Sequence, residues 1–111
     1  MDIEKFLKDI LNIEKEAWAT AEAIQGLYAR ENAESLIEKY SQDLTHMEEM
    51  AMTATKIINT LPEDDVKRIF AARYLHKMTW EETADAAFLS VTHAKRLHKK
   101  GIAWLEENYK S

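Results

Sequence analysis

With 111 residues, 46% of them hydrophobic and 32% charged, the chain is sized for one domain, or for one small domain with an extension. The lack of cysteine excludes a disulfide framework and a thiolate zinc site, and two Gly and one Pro leave little turn material for an all-β fold. The net charge of −5 conceals an asymmetry: residues 1–60 carry six Lys/Arg against twelve Asp/Glu, whereas residues 61–111 carry nine against eight.

The abundance of Ala, Glu, Lys, Leu and Ile predicts an all-α fold. No apolar run approaches the roughly 18–20 residues of a membrane span. The opening "MDIEKFLKDI" is acidic and amphipathic, unlike a secretory signal, so no membrane partner and a cytoplasmic location are expected.

In the first 60 residues, Ile3, Leu7, Ile10, Glu14, Ala17, Ala21, Ile24 and Tyr28 follow heptad spacing, broken only at Glu14, where Ile13 stands beside the seam. Phe6 and Trp18 widen this stripe. A second series, Ile37, Tyr40, Leu44, Met47, Ala51, Ala54, Ile58 and Leu61, is apolar or aromatic throughout. Between them lies "GLYARENAES". Gly26 costs a helix about 1 kcal/mol relative to Ala, and Asn32 and Ser35 are of turn or N-cap type. Two arrangements fit: an antiparallel hairpin of residues 2–27 and about 33–60, or a long helix pairing with another chain as a coiled coil. The similar seam lengths and the Ala layers near their middles favour the hairpin. The width of both stripes predicts a homo-oligomer, a dimer built on the hairpin. Residues 1–60 are thus expected to be an oligomerisation region.

Pro62 punctuates the chain and suits the first position of a new helix, with Glu63, Asp64 and Asp65 in the first turn where the helix dipole favours negative charge. That helix should bury Val66, Ile69, Phe70 and Tyr74 and end near residues 75–77. Thr79 and Glu82 have capping-box spacing, opening a short helix in which Thr83, Ala84 and Ala87 are small enough for close packing. Ser90 then reads as the N-cap of a longer helix whose inward face holds Ala94, Leu97, Gly101 and Trp104 or Leu105. Trp80 is expected to pack in the core or turn, and Trp104 and Tyr109 against the N-terminal helices. Residues 61–111 therefore predict a three-helix module ending in a helix-turn-helix. Its last helix gathers Lys95, Arg96, Lys99 and Lys100, with no acidic residue between Ala86 and Gly101.

Residues 61–105, with "RYL", "TWEE" and "KRLH" at their spacing, resemble the helix-turn-helix of sigma-factor region 4, in particular phage and prophage transcriptional regulators of the ArpU/RinA sort. The resemblance implies a DNA-binding transcriptional regulator with double-stranded DNA as partner and residues 90–100 as recognition helix. Thr92, His93 and Arg96 would then meet base edges, while Lys95, Lys99 and Lys100 neutralise phosphates. The hydroxyls of Thr79 and Ser90 would also meet phosphate. Four cationic contacts imply a salt slope near −3.6, from about −0.9 per phosphate. The acidic half should point away from DNA.

The sequence departs from that family at Lys77 and Phe88, where Gly is usual, which implies φ > 0 at both positions. Phe88 either bears that strain or belongs to a differently shaped turn, where its ring could offset the cost by packing on Trp80 or Leu97. The unusual turn and the negative net charge also suit a different function: a protein-interaction module that docks RNA polymerase or another phage protein without strong DNA binding.

Enzymatic readings find no footing. The chain has no Gly-rich phosphate loop and no Cys nucleophile, and no His/carboxylate set has metal-ligand spacing. Glu48/Glu49 and Glu81/Glu82 are helix neighbours that point in different directions. His93 and His98 do not share a helical face, and His46 and His76 lie elsewhere, so neither a cofactor nor a metal is expected.

Overall fold

A computed structural model describes residues 2–26 and 33–109. Helices α1 (Ile3–Gly26) and α2 (Ala33–Asn59) form the hairpin. Helix α3 (Asp64–Phe70) runs on into a wide π turn (Ala71–Leu75), followed by α4 (Trp80–Ala86) and α5 (Val91–Asn108). No strand occurs among the described residues, and no helix is long and apolar enough to cross a membrane. The expectations for Tyr28 and Asn32, and for the side chain of Ile24, lie outside the described residues, while Ser35 lies inside the first turn of α2 rather than capping it.

One core joins the hairpin to the module behind it. Ile3, Leu7 and Ile10 of α1 meet Met50, Ala54, Ile57, Ile58 and Leu61 at the end of α2, and these pack on Val66, Phe70, Tyr74, Ile102 and Leu105. Trp104 and Tyr109 lie against the same core, as expected. Among the described residues, this core draws on α1 from Ile3 to Ile13 and on α2 from Met50 to Ile58.

The heptad series of α2 is only partly buried. Ala54, Ile58 and Leu61 are in the core, but Ile37 is 48% and Leu44 41% exposed, and Trp18 on α1 is 65% exposed. A straight helix drifts by about 20° per heptad against a 3.5-residue repeat. Toward its end α2 therefore buries Met50 and Ile57, which the series omits, while the early positions rotate out of the hairpin contact. They leave an apolar groove lined by Ala17, Trp18, Tyr40, Leu44 and Met47, with Glu14 at its edge.

Pro62 is not the first residue of α3. The helix starts at Asp64 with Glu63 as N-cap in extended conformation, so Pro62 stands one residue outside, where it stops α2 without entering α3. The first-turn acids are Asp64 and Asp65. Val66, Ile69, Phe70 and Tyr74 are buried as their spacing requires.

Candidate nucleic-acid interface

Two caps fix the helix-turn-helix. The Thr79 hydroxyl oxygen accepts from the Glu82 backbone N–H at 3.1 Å, and the Glu82 carboxylate accepts from the Thr79 N–H at 3.0 Å. The Thr79 backbone N–H first, and its hydroxyl second, hold the Glu82 carboxyl below its usual pKa. At the start of α5 the Ser90 hydroxyl accepts from the His93 N–H at 3.1 Å. The Ser90 hydroxyl, accepting through its oxygen, keeps its own O–H to donate, whereas the Thr79 hydroxyl also serves the Glu82 carboxyl.

Between the caps, α4 ends in a Schellman motif: the Leu89 N–H donates to Ala84 O at 2.9 Å and the Phe88 N–H to Asp85 O at 3.1 Å. This motif needs a left-handed residue at Phe88, whose φ is 58°. Lys77, which ends the π turn, has φ 55°, and these two are the only non-Gly residues with positive φ among those described. Both usual-Gly positions thus have the backbone that Gly would serve, at a cost of about 1 kcal/mol each for a side-chain-bearing residue. The Phe88 ring does not pack on Trp80 or Leu97, however. It is 91% exposed, so the turn is regular and the strain is not offset by burial within the chain.

The inward face of α5 is set by Ala94, Gly101, Ile102 and Leu105, all buried, with Leu97 half-buried. Gly101 is needed for close approach, because a Cβ there would lie 2.7 Å from Val66 Cγ1 and 2.8 Å from Phe70 Cζ. His98 also belongs to this face. It stacks on Phe70 at 5.0 Å, meets the edge of Trp80 at 5.1 Å, and shares a 2.6 Å hydrogen bond with the Tyr74 hydroxyl. Burial, with Arg73 adding to it, pushes the His98 pKa down to about 4, and burial raises that of Tyr74, so the pair is neutral. The Arg73 guanidinium lies 4.7 Å over the Trp80 ring and donates to Met78 O at 2.6 Å. This cluster seats α5 on α4 and the π turn. The sequence carried a signal for it: position 98 is four residues after Ala94 and three before Gly101, on the apolar stripe.

The outward face holds the predicted contacts. Thr79, Ser90, Thr92, His93, Lys95, Arg96, Lys99 and Lys100 are all exposed. They fall into distinct electrostatic states. Lys100 is drawn back to the Glu63 carboxylate at 2.6 Å, whereas the Lys95 ammonium stands 5.7 Å from the Trp80 ring centroid. Arg96 and Lys99 enter no ion pair among the described residues. Three cations on a rigid, doubly anchored helix thus face outward with their charge uncancelled. Among the described residues no group of three or more His, Asp or Glu is placed to hold a metal. No protein-family model matches the chain, and no curated protein or solved structure matches it either.

Proposed function

We propose that this chain is a sequence-specific DNA-binding transcriptional regulator of phage or prophage type, acting in the cytoplasm as a dimer with α5 in the major groove. The observation that carries this reading is the outward face of α5. Lys95, Arg96 and Lys99 are exposed on one helix whose opposite face is fixed by Ala94, Gly101 and Leu105. Thr92, His93 and Arg96 occupy its first turns, where a recognition helix meets base edges, and Arg96 suits a guanine. Lys95 and Lys99, with the hydroxyls of Ser90 and Thr79, serve phosphates. The resemblance of residues 61–105 to regulators of the ArpU/RinA sort supports the same reading.

Dimerisation falls to the hairpin. Ile37, Tyr40, Leu44 and Met47 keep strict heptad spacing, yet Ile37 is 48% exposed and the other three line the groove beside Trp18. A seam with that repeat suits a second helix of the same kind, and a two-fold dimer would present two recognition helices to two half-sites. An electrophoretic titration on mixed duplex DNA at two salt concentrations tests the function. Binding at low salt that is lost in Arg96→Glu/Lys99→Glu is expected; no binding, or binding indifferent to that reversal, removes the proposal.

A second reading has one observation of its own. The exposed Phe88 ring is the kind of anchor that a protein pocket accepts, which suits a module docking RNA polymerase or another phage protein. Retention of the wild-type chain, but not of Phe88→Gly, by immobilised RNA polymerase in the absence of DNA would favour it.

A further inference from the structure

We propose that Phe88 is a base-reading residue whose ring packs against the C5-methyl group of a thymine at the edge of the site that the first turn of α5 enters. The proposal rests on the DNA-binding reading and adds a contact to it. Its starting point is a difference between the two strained positions. At Lys77 the side chain has work inside the chain, since its Nζ donates to Ile10 O at 2.9 Å. At Phe88 the backbone is equally left-handed, with φ 58°, but the ring is 91% exposed. Neither the Schellman turn nor the core gains from an aromatic ring there, and Gly would close the same turn without strain. A strained residue with a large exposed apolar side chain points to a contact outside the chain.

Position identifies the contact. Phe88 precedes the N-cap Ser90 by two residues, which places its Cα no more than about 7 Å from the start of α5. A surface that receives that end of the helix therefore comes within reach of the exposed ring. The receiving surface must accept Lys95, Arg96 and Lys99 as well, so it is anionic. A DNA major groove meets both needs: phosphates line its edges, and its one apolar group is the thymine methyl, which Phe can cover. The Phe88 N–H is bonded to Asp85 O, so the backbone at this position is held before DNA arrives.

The test uses the full chain and a duplex selected from a random pool. Each thymine is replaced in turn by deoxyuridine, which removes only the methyl group. One replacement should weaken wild-type binding about fourfold, the worth of one buried methyl. Phe88→Gly should bind the parent duplex about as weakly as wild type binds that modified duplex, and should be indifferent to the replacement, giving a coupled cycle. Circular dichroism melting, in which Phe88→Gly is expected to be at least as stable as wild type, excludes unfolding as the cause. Equal wild-type affinity for every modified duplex, or unchanged sensitivity in Phe88→Gly, overturns the proposal. So does wild-type affinity of Phe88→Gly for the parent duplex, which would assign the ring to a protein partner while leaving DNA binding through Arg96 intact. If wild type binds no duplex at low salt, the DNA-binding reading fails and this proposal with it.

Discussion

Lys77 ties the helix-turn-helix to the hairpin: its Nζ donates to the Ile10 carbonyl oxygen of α1 at 2.9 Å. Partial burial lowers its pKa, against the opposing pull of Glu14. The residue bears a left-handed backbone and in return bridges two parts of the fold. Replacing it by Ala keeps the strain and loses the bond, so Lys77→Ala should destabilise the protein by about 1–2 kcal/mol. Lys77→Gly loses the same bond but relieves about 1 kcal/mol of backbone cost, and should stay closer to wild type. Urea midpoints at unchanged slope check the order. If Ala and Gly behave alike, the left-handed backbone at this position carries no cost.

Gly101 has an opposite requirement, for space and not for conformation. Its φ is not positive, and Gly101→Ala would gain about 1 kcal/mol of helix propensity on its own. The added methyl would meet Val66 Cγ1 at 2.7 Å and the Phe70 ring, which is wholly buried. Overpacking of this kind costs about 1–3 kcal/mol, so the clash outweighs the propensity. Gly101→Ala should melt below wild type, and a higher melting temperature would show that α5 does not sit this closely on α3.

His98 makes stability depend on pH in a defined window. Its pKa is lowered from about 6.5 to about 4 by burial and by Arg73, so the unfolded chain binds the extra proton between those values. The contribution is fully present above pH 6.5 and is lost as pH falls toward 4. His98→Phe keeps a ring against Phe70 but removes this titration. The stability of wild type relative to His98→Phe should therefore decline as pH is lowered from about 6.5 to 4, as read from denaturant unfolding at fixed ionic strength. A constant difference across that range would mean that His98 protonates freely in the fold.

Local chemistry was legible in the sequence, and tertiary pairing was not. Thr79 with Glu82, and Ser90, announce their caps because a cap is a bond across three residues. The left-handed backbones at Lys77 and Phe88 were legible only through the family resemblance, which has Gly at both positions. The Lys100–Glu63 pair joins residues 37 apart and was invisible in a charge run, so Lys100 read as one more phosphate contact. The Lys77–Ile10 bond is likewise a product of folding, spanning 67 residues. Within one chain the seam of α2 is buried only toward its end, because a repeat of 3.5 drifts where a straight helix turns by 3.6. The π turn at Ala71–Leu75 has no sequence signal, since every residue in it also suits an α-helix.

The exposed half of that seam predicts an oligomer that can be taken apart. Leu44 is 41% and Trp18 65% exposed, so neither is needed to close the core of one chain. Leu44→Glu should leave the helical content and melting of the monomer nearly unchanged while shifting the mass in light scattering from dimer to monomer. A two-fold axis would place the introduced carboxylates near one another, and their repulsion would add to the loss of apolar contact. A wild-type chain that is monomeric at all accessible concentrations would remove the assembly from the proposed function.

On the proposed DNA-binding function, the ion pair at the end of the cationic run sets how affinity should respond to salt. Lys100 and Glu63 together are neutral, and bringing them to a phosphate releases no net counterion. Lys95, Arg96 and Lys99 remain, which predicts a slope of about −2.7 per module instead of −3.6, from about −0.9 per phosphate, and twice that for a dimer on two half-sites. Lys99→Gln should make the slope shallower by about 0.9 per module, whereas Lys100→Gln should change it little. Glu63→Gln frees Lys100 and should steepen the slope by about the same amount. The pair is exposed and worth no more than about 1 kcal/mol, so these substitutions leave the fold intact and the affinities can be compared directly. Equal effects of Lys99→Gln and Lys100→Gln would show that Glu63 releases its partner when DNA binds.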